Sequence, residues 1–208
     1  MTAARDREIL RLAVPAFLAL VAEPLFLLSD AAIVGHLGST ELAGLGIAAA
    51  VLQTVIGLCV FLAYGTTGSV ARFLGAGDLR GAVAQGVDGL WLAVGLGAAV
   101  TVAGVALAGP LTQLFGASAT VTDHATTYLR IAFLGTAPLL LMLAATGVLR
   151  GLQDTRTPLV VAVGGNLLNV VLNLVLVYPV GLGIAGSALG SVLAQLASAA
   201  DKVAGAAK

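Results

Sequence analysis

Two acids, Glu23 and Asp30, lie inside one long apolar run, and three asparagines lie inside another, in GGNLLNVVLN at residues 164–173. Carboxylates and amides in such surroundings cost free energy unless they find partners, so their spacing carries information. Glu23 and Asp30 are seven residues apart. On a helix they would differ by roughly 20° in azimuth and about 10 Å in height. Asn166, Asn169 and Asn173 follow spacings of 3 and 4, which keeps them within about 60° on one helical face. A carboxylate, one or two amide oxygens and a hydroxyl such as that of Ser191 make an all-oxygen set suited to a hard cation or a proton. The plainer reading is that the acids are hydrogen-bonded within a bundle and that the asparagines hold neighbouring helices together. Spacing alone does not separate the two.

These residues need rods to hold them. The chain has 208 residues, 59% hydrophobic and 10% charged, with mean hydropathy +1.06. Globular domains carry about a quarter charged residues, so this composition excludes an ordinary soluble fold. Apolar runs at 9–34, 43–65, 82–108, 125–149, 158–180 and 184–200 alternate with short stretches that hold most of the charge. A membrane helix needs about 20 apolar residues. The pattern predicts an all-α integral membrane protein, a six-transmembrane-helix bundle over residues 1–200 with a short polar tail at 201–208. Nine of the ten Lys and Arg residues fall at the N-terminus, between the second and third runs, between the fourth and fifth, or after the sixth; Arg130 is the exception. That distribution predicts both termini in the cytoplasm, in a multi-pass protein of the inner (plasma) membrane. At about 1.5 Å per residue, Asn173 lies about 22 Å along the fifth run and Ser191 about 10 Å along the sixth, which enters from the opposite side. With Asp30 in the outer half of the first run, all three can share one layer.

Other features narrow the function. Zero net charge gives no case for nucleic-acid binding, and the single cysteine, Cys59, excludes an intramolecular disulfide. The first apolar run is longer than a signal-peptide core and is interrupted by Pro15, Glu23, Pro24 and Asp30. No Walker A sequence is present, which argues against an ATP-driven pump. GIAGS at 183–187 loosely resembles a serine-protease motif, but His36 and His124, the two histidines, both precede Ser187 and fall in or beside loops. No Asn-Pro-Ala pair of the aquaporin type occurs. The expectation is a non-enzyme without a cofactor, whose partners are the lipid bilayer and a small organic molecule. Pro15 and Pro24 remove backbone donors from the first helix and make it the natural place for a bend. Gly147 with Gly151, and Gly186 with Gly190, have the small-xxx-small spacing of close helix packing.

Specific strings then become informative. LLSDAAIVGHLG (27–38) with ELAGLG (41–46), GTTGSVARFLGAGD (65–78), VLRGLQDTRTPLVVAVGGNLLNVVLN (148–173) and GLGIAGSALGSVLAQ (181–195) resemble, in order, the multidrug and toxic compound extrusion (MATE) family in its DinF-like branch. The resemblance implies one six-helix lobe, the N-terminal one, of an antiporter that exports amphipathic, often cationic compounds against H+ or Na+. It matches Asp30, Asn169, Asn173 and Ser191 to the family's cation- or proton-binding positions, with Na+ at Asp30, Asn169 and Asn173, and Pro15 to its first-helix hinge. Asn173 stands where some relatives carry aspartate. Glu23 and Asn166 are not carried over; their shared faces make them candidates for a cavity wall or a second proton site.

The family's transporters have twelve helices in two lobes, and this chain supplies six. The resemblance therefore implies a second six-helix lobe as partner, the missing half or the second copy of a parallel homodimer. The tail ASAADKVAGAAK is unlike the family's sixth-helix exit, as a fragment or a truncated or redesigned end would be. The competing expectation is a non-transporting membrane scaffold, or a half-transporter active only with a second lobe.

Overall fold

The computed structural model describes residues 2–206, with side chains throughout except at positions 2–12, 15, 16, 19, 22 and 23. Glu23 and Pro15 are thus among the side chains outside the described residues. Eight helices are found among the described residues: α1 (Thr2–Gly35), α2 (Ser39–Cys59), α3 (Phe61–Gly75), α4 (Leu79–Gln113), α5 (Ala119–Leu134), α6 (Thr136–Gly151), α7 (Arg156–Val177) and α8 (Gly183–Ala206). They combine into six rods, because α2 runs into α3 through the helical residue Val60, and α5 meets α6 at Gly135 with a bend of 50°. Each rod overlaps one of the six apolar runs; most extend into the polar flanks, while α7 stops at Val177, short of the end of its run. Four rods are long and apolar enough to cross a membrane, five with the bent pair taken as one; the apolar segment of α1 within the described residues is Pro24–Gly35.

The bend has a covalent cause. Pro138 has no N–H to return to the carbonyl of Leu134, so the helix cannot run straight through this turn. The neighbouring Phe133 carbonyl instead accepts the Thr101 hydroxyl of α4 at 2.9 Å, which ties the bend to its neighbour. The apolar run at 125–149 gave no sign of this break because Pro138 and Gly135 are themselves weakly polar.

Close approach of helices depends on the glycine pairs. A Cβ at Gly147 would lie 2.6 Å from the Ala63 carbonyl oxygen, and one at Gly151 would lie 2.8 Å from Val70 Cβ, so α6 sits directly on α3. Gly186 does the same for α8 on α7, where a Cβ would come within 2.7 Å of the Leu176 carbonyl oxygen. The outer surface is the reverse. Only 17% of the most apolar windows of α4 and α7 is buried by the protein itself, and Leu58, Trp91, Val102 and Leu167 are each more than 60% exposed. Such a surface belongs in lipid.

One expectation at the C-terminal end is corrected. Residues 201–206 continue α8 instead of forming a polar tail, and Lys202 is 7% exposed, its Nζ donating to Thr146 Oγ1 at 3.0 Å. The lysine stem packs along α6 while its head reaches a hydroxyl, so charge in the sequence concealed a packed turn.

Two connections at one end of the bundle close identically. After α3, Asp78 N–H bonds Phe73 O and Gly77 N–H bonds Leu74 O; after α6, Asp154 N–H bonds Leu149 O and Gln153 N–H bonds Arg150 O. Both are Schellman closures, with Gly77 at φ 77° and Gln153 at φ 64° in the left-handed position. The aspartate that follows caps the next helix: Asp78 Oδ1 accepts Gly81 N–H, and Asp154 Oδ1 accepts the N–H groups of Arg156 and Thr157. Burial alone would raise the Asp154 carboxyl, but bonds from the Thr157 hydroxyl and from both N–H groups, with the Arg156 charge, hold it below its usual value.

Two outcomes follow for thermal unfolding in detergent. Gln153→Gly relieves a left-handed side-chain residue and is expected to raise the midpoint, by about 1 kcal/mol of stability; an unchanged or lower midpoint would contradict this closure. A carboxyl with a depressed native value stabilises above its unfolded value and stops doing so as pH falls through the native one. Asp154→Ala should therefore lower the midpoint at neutral pH, by about 1 kcal/mol, and narrow its gap to wild type on acidification. Equal midpoints at neutral pH would show that the cap is idle.

Candidate functional site

Asp30 lies five residues before the end of α1 and is 3% exposed. It reaches three other rods. Its Oδ1 accepts Asn173 Nδ2 of α7 at 2.9 Å and the Ser187 hydroxyl of α8, and its Oδ2 accepts the Tyr128 hydroxyl of α5 at 2.8 Å. Behind these donors, Asn173 Nδ2 also donates to Asn169 Oδ1 at 3.3 Å, and Asn169 Nδ2 donates to Ser191 Oγ at 3.0 Å. All six side chains are buried.

The local folding explains the convergence. Asn169 and Asn173 are one helical turn apart on α7, as are Ser187 and Ser191 on α8, so each pair lines one face. Gly190 lets those faces meet, since a Cβ there would overlap Asn173 Oδ1. At the end of α7 the Tyr178 hydroxyl donates to the Ile33 carbonyl at 2.9 Å, which fixes α1 just past Asp30.

The electrostatics are unbalanced. Among the described residues no cationic side chain pairs with Asp30; the ion pair found is His124 with Glu41, at 3.8 Å. A buried carboxyl without a counter-charge is tolerated when it is protonated or when a cation joins it. The polar atoms beside it point the same way. Both protons of Asn173 Nδ2 are used, and its Oδ1 is buried with no hydrogen-bond partner. An orphaned amide oxygen costs free energy unless something binds it. The donor set is oxygen only, which suits Na+ or H+ and not a soft transition metal. Groups of three or more His, Cys, Asp or Glu that could hold a metal are absent among the described residues.

The structure brings together Asp30, Asn169, Asn173 and Ser191. Asn166, half-buried, lies one turn nearer the N-terminal end of α7. Two members were missed. Ser187 carried a usable signal, its i, i+4 spacing to Ser191. Tyr128 carried a misleading one, because a tyrosine near the end of an apolar run reads as an interfacial anchor.

Comparison with known proteins follows the same lines. The MatE family model matches residues 15–175. DNA damage-inducible protein F of Escherichia coli (strain K12) is 32% identical over 194 residues, covering 93% of this chain and 42% of that protein. Protein DETOXIFICATION 44, chloroplastic, of Arabidopsis thaliana is 36% identical over 203 residues, covering 90% of this chain and 38% of its own length. A crystal structure of MATE in the bent conformation superimposes with TM-score 0.90 at 28% identity, over 95% of this chain and 44% of that one. The chain thus spans about two fifths of the length of these relatives.

Gly190→Ala puts a methyl where Asn173 Oδ1 now lies. Overpacking of this kind is expected to cost about 1–3 kcal/mol, read as a lower thermal midpoint with unchanged helix content by circular dichroism. A wild-type midpoint would show that α7 and α8 do not meet this closely.

Proposed function

The chain belongs to the MATE family, and from that premise we propose that it forms the N-terminal lobe of a cation-coupled antiporter exporting amphipathic or cationic small molecules. The observation that carries this reading is the buried Asp30 carboxyl, which takes donors from three rods and has no counter-charge among the described residues, with the amide oxygen of one donor, Asn173, left unpartnered. In the proposed cycle the coupling ion, H+ or Na+, binds at Asp30 with Asn169, Asn173 and Ser191 as neighbours. Tyr128 and Ser187 are added to that set.

The coupling follows from hydrogen-bond arithmetic. An ionised carboxylate accepts from Tyr128, Ser187 and Asn173 at once, and so holds α1 against α5, α7 and α8. Protonation turns one oxygen into a donor and a poorer acceptor, and a bound cation takes up lone pairs. Either event weakens these bonds, loosens α1 and favours a different path for it, with Pro15 as the proposed hinge. Substrate would bind between this lobe and a second one, which alternating access requires. The second lobe is proposed to be the missing half of the transporter or a second copy in the same orientation, with both termini in the cytoplasm.

The test is ion-driven efflux of a fluorescent organic cation from vesicles reconstituted with the chain. Asp30→Asn keeps the shape and removes the titrating group, and is expected to lower the ion-driven rate about a hundredfold or more (roughly 2.7 kcal/mol). Transport by this variant at the wild-type rate, with the wild-type dependence on H+ or Na+, would refute the role of Asp30.

A further inference from the structure

We propose that the groove between α3 and α4 is a second binding site, for a small amphipathic organic ammonium. It is built from α3 and α4, whereas α1, which carries Asp30, packs on α2, α7 and α8 and is bonded to α5. The inference concerns binding alone and does not rest on transport at Asp30.

The key residue is Asp88, an exposed acid nine residues into α4. It has neither a hydrogen bond nor an ion pair among the described residues, and the same holds for Gln85, one turn away and beside it in the groove. An acid on the flank of a membrane rod is costly against lipid and is found where a cavity or a cationic partner faces it. Here a cavity faces it. The groove has a volume of about 210 Å3, with Thr66 and Ser69 of α3 opposite Gln85 and Asp88, and Phe61 and Leu92 at its apolar end. An enclosed cavity of about 150 Å3 holds benzene, so this open groove has room to seat a single ring with a small cationic head.

The order of groups along the groove selects the ligand. Heights run from the α3–α4 connection at residues 76–78. By helical rise, Ser69 and Gln85 are about 9 Å up, Asp88 about 13 Å, and Phe61 and Leu92 about 20 Å. Thr66 and Gly89 confirm the register, since a Cβ at Gly89 would lie 3.0 Å from Thr66 Oγ1. A cation at Asp88 therefore has apolar walls on its membrane side, which fits an ammonium attached to a hydrophobic body. The nearby basic group, Arg72, donates to Ser69 at 3.5 Å and lies nearer the connection than Asp88 does. In a zwitterionic lipid the phosphate lies between the chains and the ammonium. The groove presents acid on the membrane side and base on the outer side, the reverse of that order. A free organic cation fits; a lipid headgroup does not.

The probe is benzyltrimethylammonium, with neopentylbenzene as its uncharged analogue of the same shape. Binding to the full chain in phosphatidylcholine nanodiscs is followed through Trp91, the single tryptophan, one turn beyond Asp88 on α4, and by calorimetry. The expected result is saturable binding that weakens about tenfold or more in Asp88→Asn, recovers in Asp88→Glu, and is not displaced by neopentylbenzene. The proposal is overturned by any of four results: no saturable binding to the wild-type chain, equal affinity in Asp88→Asn, equal competition by the uncharged analogue, or loss of binding in Asp30→Asn with Asp88→Asn intact. Displacement of the probe by phosphatidylethanolamine would assign the groove to a lipid and would overturn it too.

Discussion

A carboxyl buried among helices without a counter-charge is the constraint around which this bundle is arranged. Asp30 is acceptable in a low-dielectric interior because three donors from three other rods reach it. Each donor fixes a helix. Tyr128 brings α5, Asn173 brings α7 and Ser187 brings α8, while Tyr178 secures the backbone of α1 beyond the acid. The same bonds that lower the cost of burying the group define where four rods meet. A protonated or cation-bound carboxyl accepts these bonds more weakly than an ionised one, which makes the arrangement conditional on the state of one side chain.

Small residues make that meeting possible. In lipid, helices gain little from hydrophobic association and depend on close packing and polar contacts. Gly186 and Gly190 bring α8 onto α7, and Gly147 and Gly151 bring α6 onto α3. At Gly190 packing and chemistry coincide, because the missing side chain leaves room for Asn173 Oδ1, the buried amide oxygen without a partner. A larger residue there would remove the candidate ligand along with the contact.

Much of this was legible beforehand, for identifiable reasons. Apolar runs give rods because a membrane span must satisfy its own backbone, and each run lies mainly on a helix or a helix pair. Asp30, Asn169, Asn173 and Ser191 could be grouped because helical rise converts sequence number into depth. What escaped involved features that a hydrophobicity pattern does not record. Pro138 bends a rod whose apolar character is uninterrupted. Tyr128 is amphipathic, and its hydroxyl points to a site that becomes apparent once α5 is placed beside α1. Lys202 appeared to be part of a solvated tail although its stem packs on α6. Asp88 went unnoticed because it sits near the polar start of the third run, where a single charge is unremarkable until α3 supplies the other wall.

The central claim is that Asp30 exchanges a proton or a cation while buried, and its carboxyl can be observed directly. Infrared difference spectra of the chain in lipid, taken between acidic and alkaline pH and between Na+-free and Na+-loaded states, report the stretch of a protonated carboxyl. The account predicts a protonated-carboxyl band that disappears on alkalinisation or on Na+ addition and is missing from Asp30→Asn. A band that survives in Asp30→Asn, or a spectrum insensitive to both pH and Na+, would contradict it.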